Sequence, residues 1–354
     1  MSSKEFLFTF NDDDNDDDDD DAVKSIPPSN RKSTSTKEPM TVPAVFVSNF
    51  PLYSLTSQLL ENWAECYPKS PRDRMELPRD VAGMNTPSLV FQRAPDVSEL
   101  TTEGDRLERR DIIPGKYYGG LKVWSCAPYL VAYMFGNRDM FRRLFEITDS
   151  SIEKTTARKP SPDGQFAVTS STHPIVAEVG CGQGLPGIAA LLLGARRVIF
   201  QDYNKEVLEM CVKSNIGANL LRHAEFVALC ENPPSSCLPV VQMVSGDWSH
   251  LQWQDSDDGT GKKSHDVRCK VVLGSDVTFD EEACEKLAEM LERCLSPAAG
   301  VAYIASKQYY FGTNGGALEF QKCAEARGLQ VEEVSRMDEA GGMQRLIMRV
   351  ERRG

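Results

Sequence analysis

Pro174-Ile-Val-Ala-Glu-Val-Gly-Cys-Gly-Gln-Gly-Leu-Pro-Gly187 is the stretch from which the rest of the chain can be read. An apolar, β-branched run stops at Glu178. Gly180, Gly182 and Gly184 follow at alternate positions, and a helical pattern occupies Leu185 to Leu193. Glycine is required where backbone turns sharply and approaches a ligand with no Cβ in the way. A second strand-like run, Arg197-Val-Ile-Phe-Gln-Asp202, ends on an acid, about twenty residues beyond the loop. Strand, glycine loop, helix, strand and acid make a nucleotide-binding half.

The glycine spacing discriminates between ligands. A dinucleotide site uses G-x-G-x-x-G to aim a helix N-terminus at a pyrophosphate. Here the pattern is acid-x-G-x-G-x-G, with Glu178 just before the turn. A carboxylate in that place suits a cationic sulfonium bearing an amino group better than a diphosphate. Gly182-x-x-x-x-Gly187 is not followed by Lys-Ser/Thr, so there is no phosphate-cradling P-loop. The ligand expected is S-adenosylmethionine, with Asp202 on the ribose hydroxyls. The plain alternative is a tight strand-to-helix turn with no ligand.

Charge and composition narrow the function classes. The chain of 354 residues has a net charge of −12 and is 41% hydrophobic, enough for a core. Nine aspartates stand in Asn11–Asp21, and removing them from the total leaves −3. A mildly acidic remainder argues against tight nucleic-acid binding, which depends on basic patches. No apolar run has membrane-spanning length, and the acidic N-terminus is unlike a signal peptide. The ten cysteines lack Cys-x-x-Cys spacing. They read as reduced core residues of a cytoplasmic or nuclear protein, without a disulfide framework or a metal site. The four scattered histidines do not cluster either.

Along the chain, residues 1–41 read as a disordered acidic tail, self-repelling in the aspartate run and rich in Ser, Pro and Lys after it. Residues 42–110 read as an irregular extension with a helix near Ser54–Cys66, loop from Pro68 to Asp80, and a strand at Ser88–Arg93. The domain proper is expected over 111–354. It opens with an extended, glycine-rich segment from Asp111 that becomes helical from Trp124 to Phe135. Helix is expected over Lys205–Asn215, loop over 219–239, and a flexible segment over Gln254–Asp266. Further strands are expected at Val240–Val244, Lys270–Asp276, Gly300–Ala305, Leu329–Val334 and Gln344–Val350, with helices at Asp280–Leu295 and Gly315–Arg327. Alternating strands and helices imply a mostly parallel sheet with helices on both faces. Glu178, Asp202, Asp247 and Asp276 then all fall at strand carboxyl ends, where such sheets bind ligands.

Tyr118-Gly-Gly-Leu-Lys-Val-Trp124, Glu178-x-Gly-Cys-Gly-x-Gly184, Phe200-Gln-Asp-Tyr-Asn204, Ser245-Gly-Asp-Trp248, Gly274-Ser-Asp276 and Ala305-Ser-Lys-Gln-Tyr-Tyr-Phe-Gly312 are together specific. From about Asp111 onward the chain resembles the protein-histidine N-methyltransferases that modify a large-subunit ribosomal protein. These belong to the seven-strand, Rossmann-like α/β methyltransferases that use S-adenosylmethionine. The resemblance implies that Val123, Trp124, Ser125, Cys126 and Ala127 lie over the cofactor, with Gly180 beneath and Gly182 in the same loop. It implies that Gln201, Asp202 and Tyr203 contact the adenosine, Gly246, Asp247 and Trp248 the adenine, and Ser275 the region beside the methyl group. The family commonly has Glu where Asp276 stands and Tyr where Phe279 stands. The expected substrate is a large-subunit ribosomal protein, and the enzyme is expected to work as a monomer, on neither nucleic acid nor membrane.

The chemistry suggests one more role. Imidazole, with an ordinary pKa near 6.5, is largely neutral at cytosolic pH and already carries a nucleophilic lone pair. The enzyme has to choose the tautomer and accommodate the charge that develops on the ring. A carboxylate bonded to the far N–H does both, and Asp276 is the expected catalytic residue; alternatively it caps the helix that follows. A lysine methyltransferase of the same group and a catalytically silent binding module stay open as alternatives.

Overall fold

In the computed structural model, Ile175–Val179 (β1) lies at the centre of a twisted sheet. Around it run Arg197–Asp202 (β2), Val240–Ser245 (β3), Val271–Ser275 (β4), Val301–Lys307 (β5), Leu329–Met337 (β6) and Arg345–Arg352 (β7). Their order is β3-β2-β1-β4-β5-β7-β6. The first five run parallel, and β7 inserts antiparallel between β5 and β6. This is the seven-strand methyltransferase architecture that the motifs imply. The chain order reverses between β1 and β4, so the carboxyl ends of those strands flank the switch-point crevice.

Residues 48–49, 52–66, 72–75, 88–92, 112–113, 117–146, 173–231, 238–251, 268–338 and 343–353 are described; all lie in one compact unit, Phe46–Gly354. The acidic tail and the Gln254–Asp266 segment lie outside them.

Every residue of β1 is buried, as expected of a parallel strand covered on both faces. One face packs against the helices Cys126–Gly136, Leu185–Leu192 and Lys213–Leu220, the other against Glu281–Cys294 and Ala317–Ala326. Asp280 starts the Glu281–Cys294 helix by accepting the Ala283 N–H on Oδ1 at 2.7 Å. Glu281 and Glu282 follow in the first turn, where the positive end of the helix favours them. No described helix is long and apolar enough to cross a membrane.

The expected elements from β1 to β7 all form, and three local readings need correction. Within the stretch read as loop before Asp80, Arg72–Met75 is a strand paired antiparallel with Leu89–Gln92. Within 219–239, Ala224–Glu231 is a helix that buries Phe226 and Cys230; it is too short for its periodicity to stand out. The helix from Lys205 runs on to Leu220 through a π-helical turn at Leu208–Val212. The extension is also part of the sheet: Ser48–Asn49 and Tyr53–Ser54 pair antiparallel with β3.

Candidate active site

The glycine loop after β1 uses left-handed backbone at each alternate position: φ is +55° at Gly180, +48° at Gly182 and +75° at Gly184. Space forbids side chains there as well. A Cβ on Gly180 would come 2.7 Å from Val277 Cγ1, and one on Gly182 would come 3.2 Å from the Gly120 carbonyl oxygen. The loop is therefore squeezed between the end of β4 and the Gly119-Gly120 turn.

Side chains at the end of β2 hold this loop by its amides. Asp202 accepts the Gly182 N–H on Oδ2 at 2.9 Å and the Asn204 N–H on Oδ1 at 3.0 Å. Gln201 Oε1 accepts from Gly180 N at 3.0 Å and from Trp248 Nε1 at 2.7 Å. Its Nε2 donates to the Gly246 carbonyl at 2.9 Å. The ends of β1, β2 and β3 are thus cross-linked by one amide side chain. Burial raises the Asp202 carboxyl to a pKa of about 6, against the opposing pull of the amides that donate to it.

Glu178 sits under the loop. Its Oε2 accepts the Gly187 N–H at 2.8 Å, and Oε1 has no partner among the described residues. Burial pushes its carboxyl well above the usual range. A Cβ on Gly187 would come 2.7 Å from Oε2, so that glycine makes room for the acid.

The segment expected to cover the cofactor does face the loop. Lys122, Val123, Trp124 and Ala127 enclose a cleft with Gly180–Leu185 and Ser275. The Trp124 indole donates to the Gly119 carbonyl at 2.9 Å, and Lys122 Nζ lies 5.0 Å from its ring centroid. The turn is tied to β2 through Tyr118, whose N–H donates to Asn204 Oδ1 at 3.2 Å and whose ring meets Tyr203 at 4.5 Å. The cleft encloses about 30 Å³, against roughly 300–1,000 Å³ for pockets that hold drug-sized ligands.

Other expected contacts are engaged inside the protein. Ser125 Oγ accepts from Arg345 Nε at 2.9 Å, and the Cys126 thiol is fully buried. Asp247 pairs with Lys286 Nζ at 2.8 Å and accepts the Ser249 N–H at 2.8 Å. Burial alone would raise its carboxyl, but Lys286 and the Ser249 donors outweigh that and hold it below its ordinary value. Trp248 stands over Gly180, its Cζ2 3.4 Å from where a Cβ would be.

Asp276 follows β4 at φ +54°, left-handed although it is not glycine. Its Oδ2 accepts the Cys126 N–H at 2.8 Å and its Oδ1 the Tyr310 hydroxyl at 2.9 Å. It does not cap the helix that follows, which is the work of Asp280; it caps the Cys126–Gly136 helix from across the fold. Burial raises its carboxyl pKa, while the donors from Cys126 and Tyr310, and Lys307 nearby, oppose the rise. Tyr310 is a site residue that sequence reasoning missed. Its motif stands out in the sequence, but only the fold of the loop after β5 shows which aromatic turns inward. Phe311 next to it is 80% exposed.

No family model matches the chain. It is 29% identical over 216 residues to the Dictyostelium discoideum protein called Histidine protein methyltransferase 1 homolog, covering 61% of this chain and 52% of that one. It is also 29% identical over 249 residues to the Rattus norvegicus protein of the same name, covering 67% and 58%. The chain thus spans between half and three-fifths of the length of these curated relatives. The resemblance drawn from the motifs is to the same family. Among solved structures, a magnesium protoporphyrin IX methyltransferase from Synechocystis with bound S-adenosylmethionine is 14% identical at a TM-score of 0.35, over 72% of this chain and 93% of that one. A ribosomal protein L11 methylase from Lactobacillus delbrueckii is 17% identical at 0.31, over 53% and 73%.

Proposed function

We propose that this chain is an S-adenosylmethionine-dependent protein methyltransferase that methylates a histidine imidazole nitrogen, on a large-subunit ribosomal protein. The observation that carries the reading is the Gly180–Gly184 loop at the switch point. Its amides are gripped by Gln201 and Asp202, a Cβ at Gly180 would strike Val277, and one at Gly182 would press on the Gly120 carbonyl. These residues fit S-adenosylmethionine. The loop has no room for side chains, an acid stands at the end of β2, and a tryptophan segment covers the cleft. Similarity to histidine protein methyltransferases supports the choice of acceptor.

On this reading, Gly180 and Gly182 give backbone to the cofactor, Asp202 and Tyr203 hold its ribose, and Trp248 and Gly246 flank the adenine. A carboxylate has about four acceptor sites, and the Gly182, Asn204 and Tyr203 amides that donate to Asp202 leave one for a hydroxyl. Asp247, fixed by Lys286, presents a carboxylate that stays ionised at the adenine edge. When bound, S-adenosylmethionine supplies an electrophilic methyl group on a sulfonium. The Val123–Ala127 segment closes over the cleft and keeps water out. Asp276, beside Ser275 at the end of β4, receives the far N–H of the target imidazole. That contact fixes the tautomer and stabilises the positive charge the ring acquires. Tyr310 and the Cys126 amide hold the carboxylate in place.

The test is to incubate the chain with isotopically labelled S-adenosylmethionine and large-subunit ribosomal proteins, then locate the label by peptide mass spectrometry. Label on a histidine is expected. Label on lysine would replace histidine by lysine as the acceptor. A chain that shows no heat of binding with S-adenosylmethionine would be a silent module.

A further inference from the structure

Gln183 is the one long side chain in the glycine loop between Gly180 and Gly184, and it is almost fully buried. Its Nε2 donates to the Leu121 carbonyl at 2.6 Å and to the Gln92 carbonyl at 3.1 Å. Its Oε1 accepts from Asn215 Nδ2 at 2.6 Å, and the same Nδ2 reaches the Gln183 carbonyl at 3.0 Å. The loop is thereby pinned from three directions: the turn that carries Trp124, the Arg72–Met75/Leu89–Gln92 strand pair, and the Lys213–Leu220 helix.

The strand pair takes hold of the other side of Asn215. The Gln92 N–H donates to Asn215 Oδ1 at 3.1 Å, and Arg72 Nη1 to the same oxygen at 3.4 Å. Arg72 Nη2 also donates to Ser214 Oγ at 2.7 Å and to the Ala64 carbonyl at 3.2 Å. One turn further on, Asn219 takes both backbone groups of Val90, at 2.8 Å from the N–H and 2.7 Å to the carbonyl. Partly satisfied buried amides are costly and fully satisfied ones rigidify what they join. In Gln183 and Asn215 both the amide nitrogen and the carbonyl oxygen have partners.

We infer that the paired strands Arg72–Met75 and Leu89–Gln92 are a positioning element of the cofactor site, acting through Asn215 and Gln183 on the glycine loop. The inference rests on the cofactor reading above and extends it to a region that touches no reacting atom. The physical need is plain. Glycines have the largest conformational freedom to lose, and a loop with three of them in left-handed backbone does not hold one shape unaided. Apparent affinity falls with the fraction of molecules whose loop is competent. The network raises that fraction, and Leu121 passes the same restraint to the cover turn.

The experiment measures S-adenosylmethionine affinity by calorimetry, with thermal melts on the same samples, in the full chain. The variants are Arg72→Met, Gln183→Met, the double Arg72→Met/Gln183→Met, and Phe320→Leu as a control buried in the core on the other face of the sheet. Each network single is expected to weaken binding roughly tenfold, the order expected when a buried hydrogen-bonding partner is lost. The double should be little worse than the worse single, because residues in one chain of contacts do not add. Phe320→Leu should lower the melting temperature and leave affinity unchanged. Arg72 is partly exposed, so its variant carries the test if Gln183→Met fails to fold. Amide hydrogen exchange over Gly180–Leu185 should quicken in that variant without cofactor. Folded network variants that bind like wild type, or a control that weakens binding equally, overturn the inference. A wild-type chain that binds no cofactor overturns the methyltransferase reading first, and the inference with it.

Discussion

At Asp276 a side chain occupies backbone space that glycine normally fills, φ +54°, at a cost of about 1–2 kcal/mol for an ordinary L-residue. Aspartate and asparagine tolerate that region better than other residues because their short polar chains bond locally. Asp276→Asn is therefore expected to fold, with its one carbonyl oxygen still accepting from Cys126 N or Tyr310. Cofactor affinity should be unchanged, because Ser275 and the loop amides hold that side. Turnover should fall about 100-fold, the low end for a general base, because neutral imidazole is already nucleophilic. Normal turnover in single-turnover assays would remove Asp276 from the mechanism. Asp202 gives a second test, in pH. Its folded pKa of about 6 stands above the ordinary value of 3.8, so between those values the folded chain holds a proton that the unfolded chain has lost. Stability from this group is thus present below about pH 4 and lost as pH rises through 6. The loss is of the order of 3 kcal/mol at most, at 1.36 kcal/mol per pKa unit. Denaturant unfolding at pH 4.5 and 7 should show that decline in wild type and a smaller one in Asp202→Asn. Equal slopes would mean the carboxyl titrates normally. At pH 7 the same variant should bind cofactor more weakly.

Among the elements, the crossing of Ser57–Glu65 over Lys213–Leu220 joins the extension to the sheet. Thr56 caps the first helix by accepting the Leu59 N–H at 3.2 Å, and Leu60 and Trp63 are buried beneath it. The two backbones touch at Gly217, where a Cβ would lie 2.4 Å from the Leu60 carbonyl oxygen and 2.5 Å from Ala64 N. Both obstacles are backbone and cannot rotate aside. Gly217→Ala should therefore push the helices apart, at a cost of about 1–3 kcal/mol and roughly 2–4 °C in melting temperature per kcal/mol. A melt identical to wild type would show that the crossing is loose. The strand Arg72–Met75 shows why part of this layer escapes a sequence reading. Its residues, Arg-Asp-Arg-Met, carry no alternating apolar face. It is anchored instead by the Arg72 bond to Ser214, 142 residues away. The seven strands of the sheet are legible because burial on both faces leaves continuous apolar runs in most of them.

For the molecule as a whole, the pH dependence of turnover separates the candidate acceptors. If the substrate is histidine, the rate should fall below about pH 6.5 as the free imidazole protonates. It should level off above that. A lysine acceptor, with an ordinary pKa near 10.4, would keep gaining rate well above about pH 8. A rate that still climbs between pH 8 and 9.5 on a peptide carrying one histidine and no lysine would point to a different group being titrated. The profile should be read under saturating cofactor, because Asp202 titrates near the acid end.

The succession of strands and helices, the glycine loop, and the acids at the strand ends were all written in the linear pattern, because backbone conformation and burial obey short-range rules. That the Val123–Ala127 segment faces the loop was expected from the family resemblance and not from spacing, and Asp202 was expected on a ribose, with no sign of its bond to the Gly182 amide. Tertiary structure alone decided who bonds to whom. Glu178 turns to Gly187, Asp247 to Lys286, and Asp276 to a helix 150 residues earlier in the chain and to Tyr310. A buried carboxylate takes whichever donors the strand order brings within about 3 Å. That order, with β1 between β2 and β4, is set by how the apolar faces of distant elements pack, and no local stretch of sequence contains it.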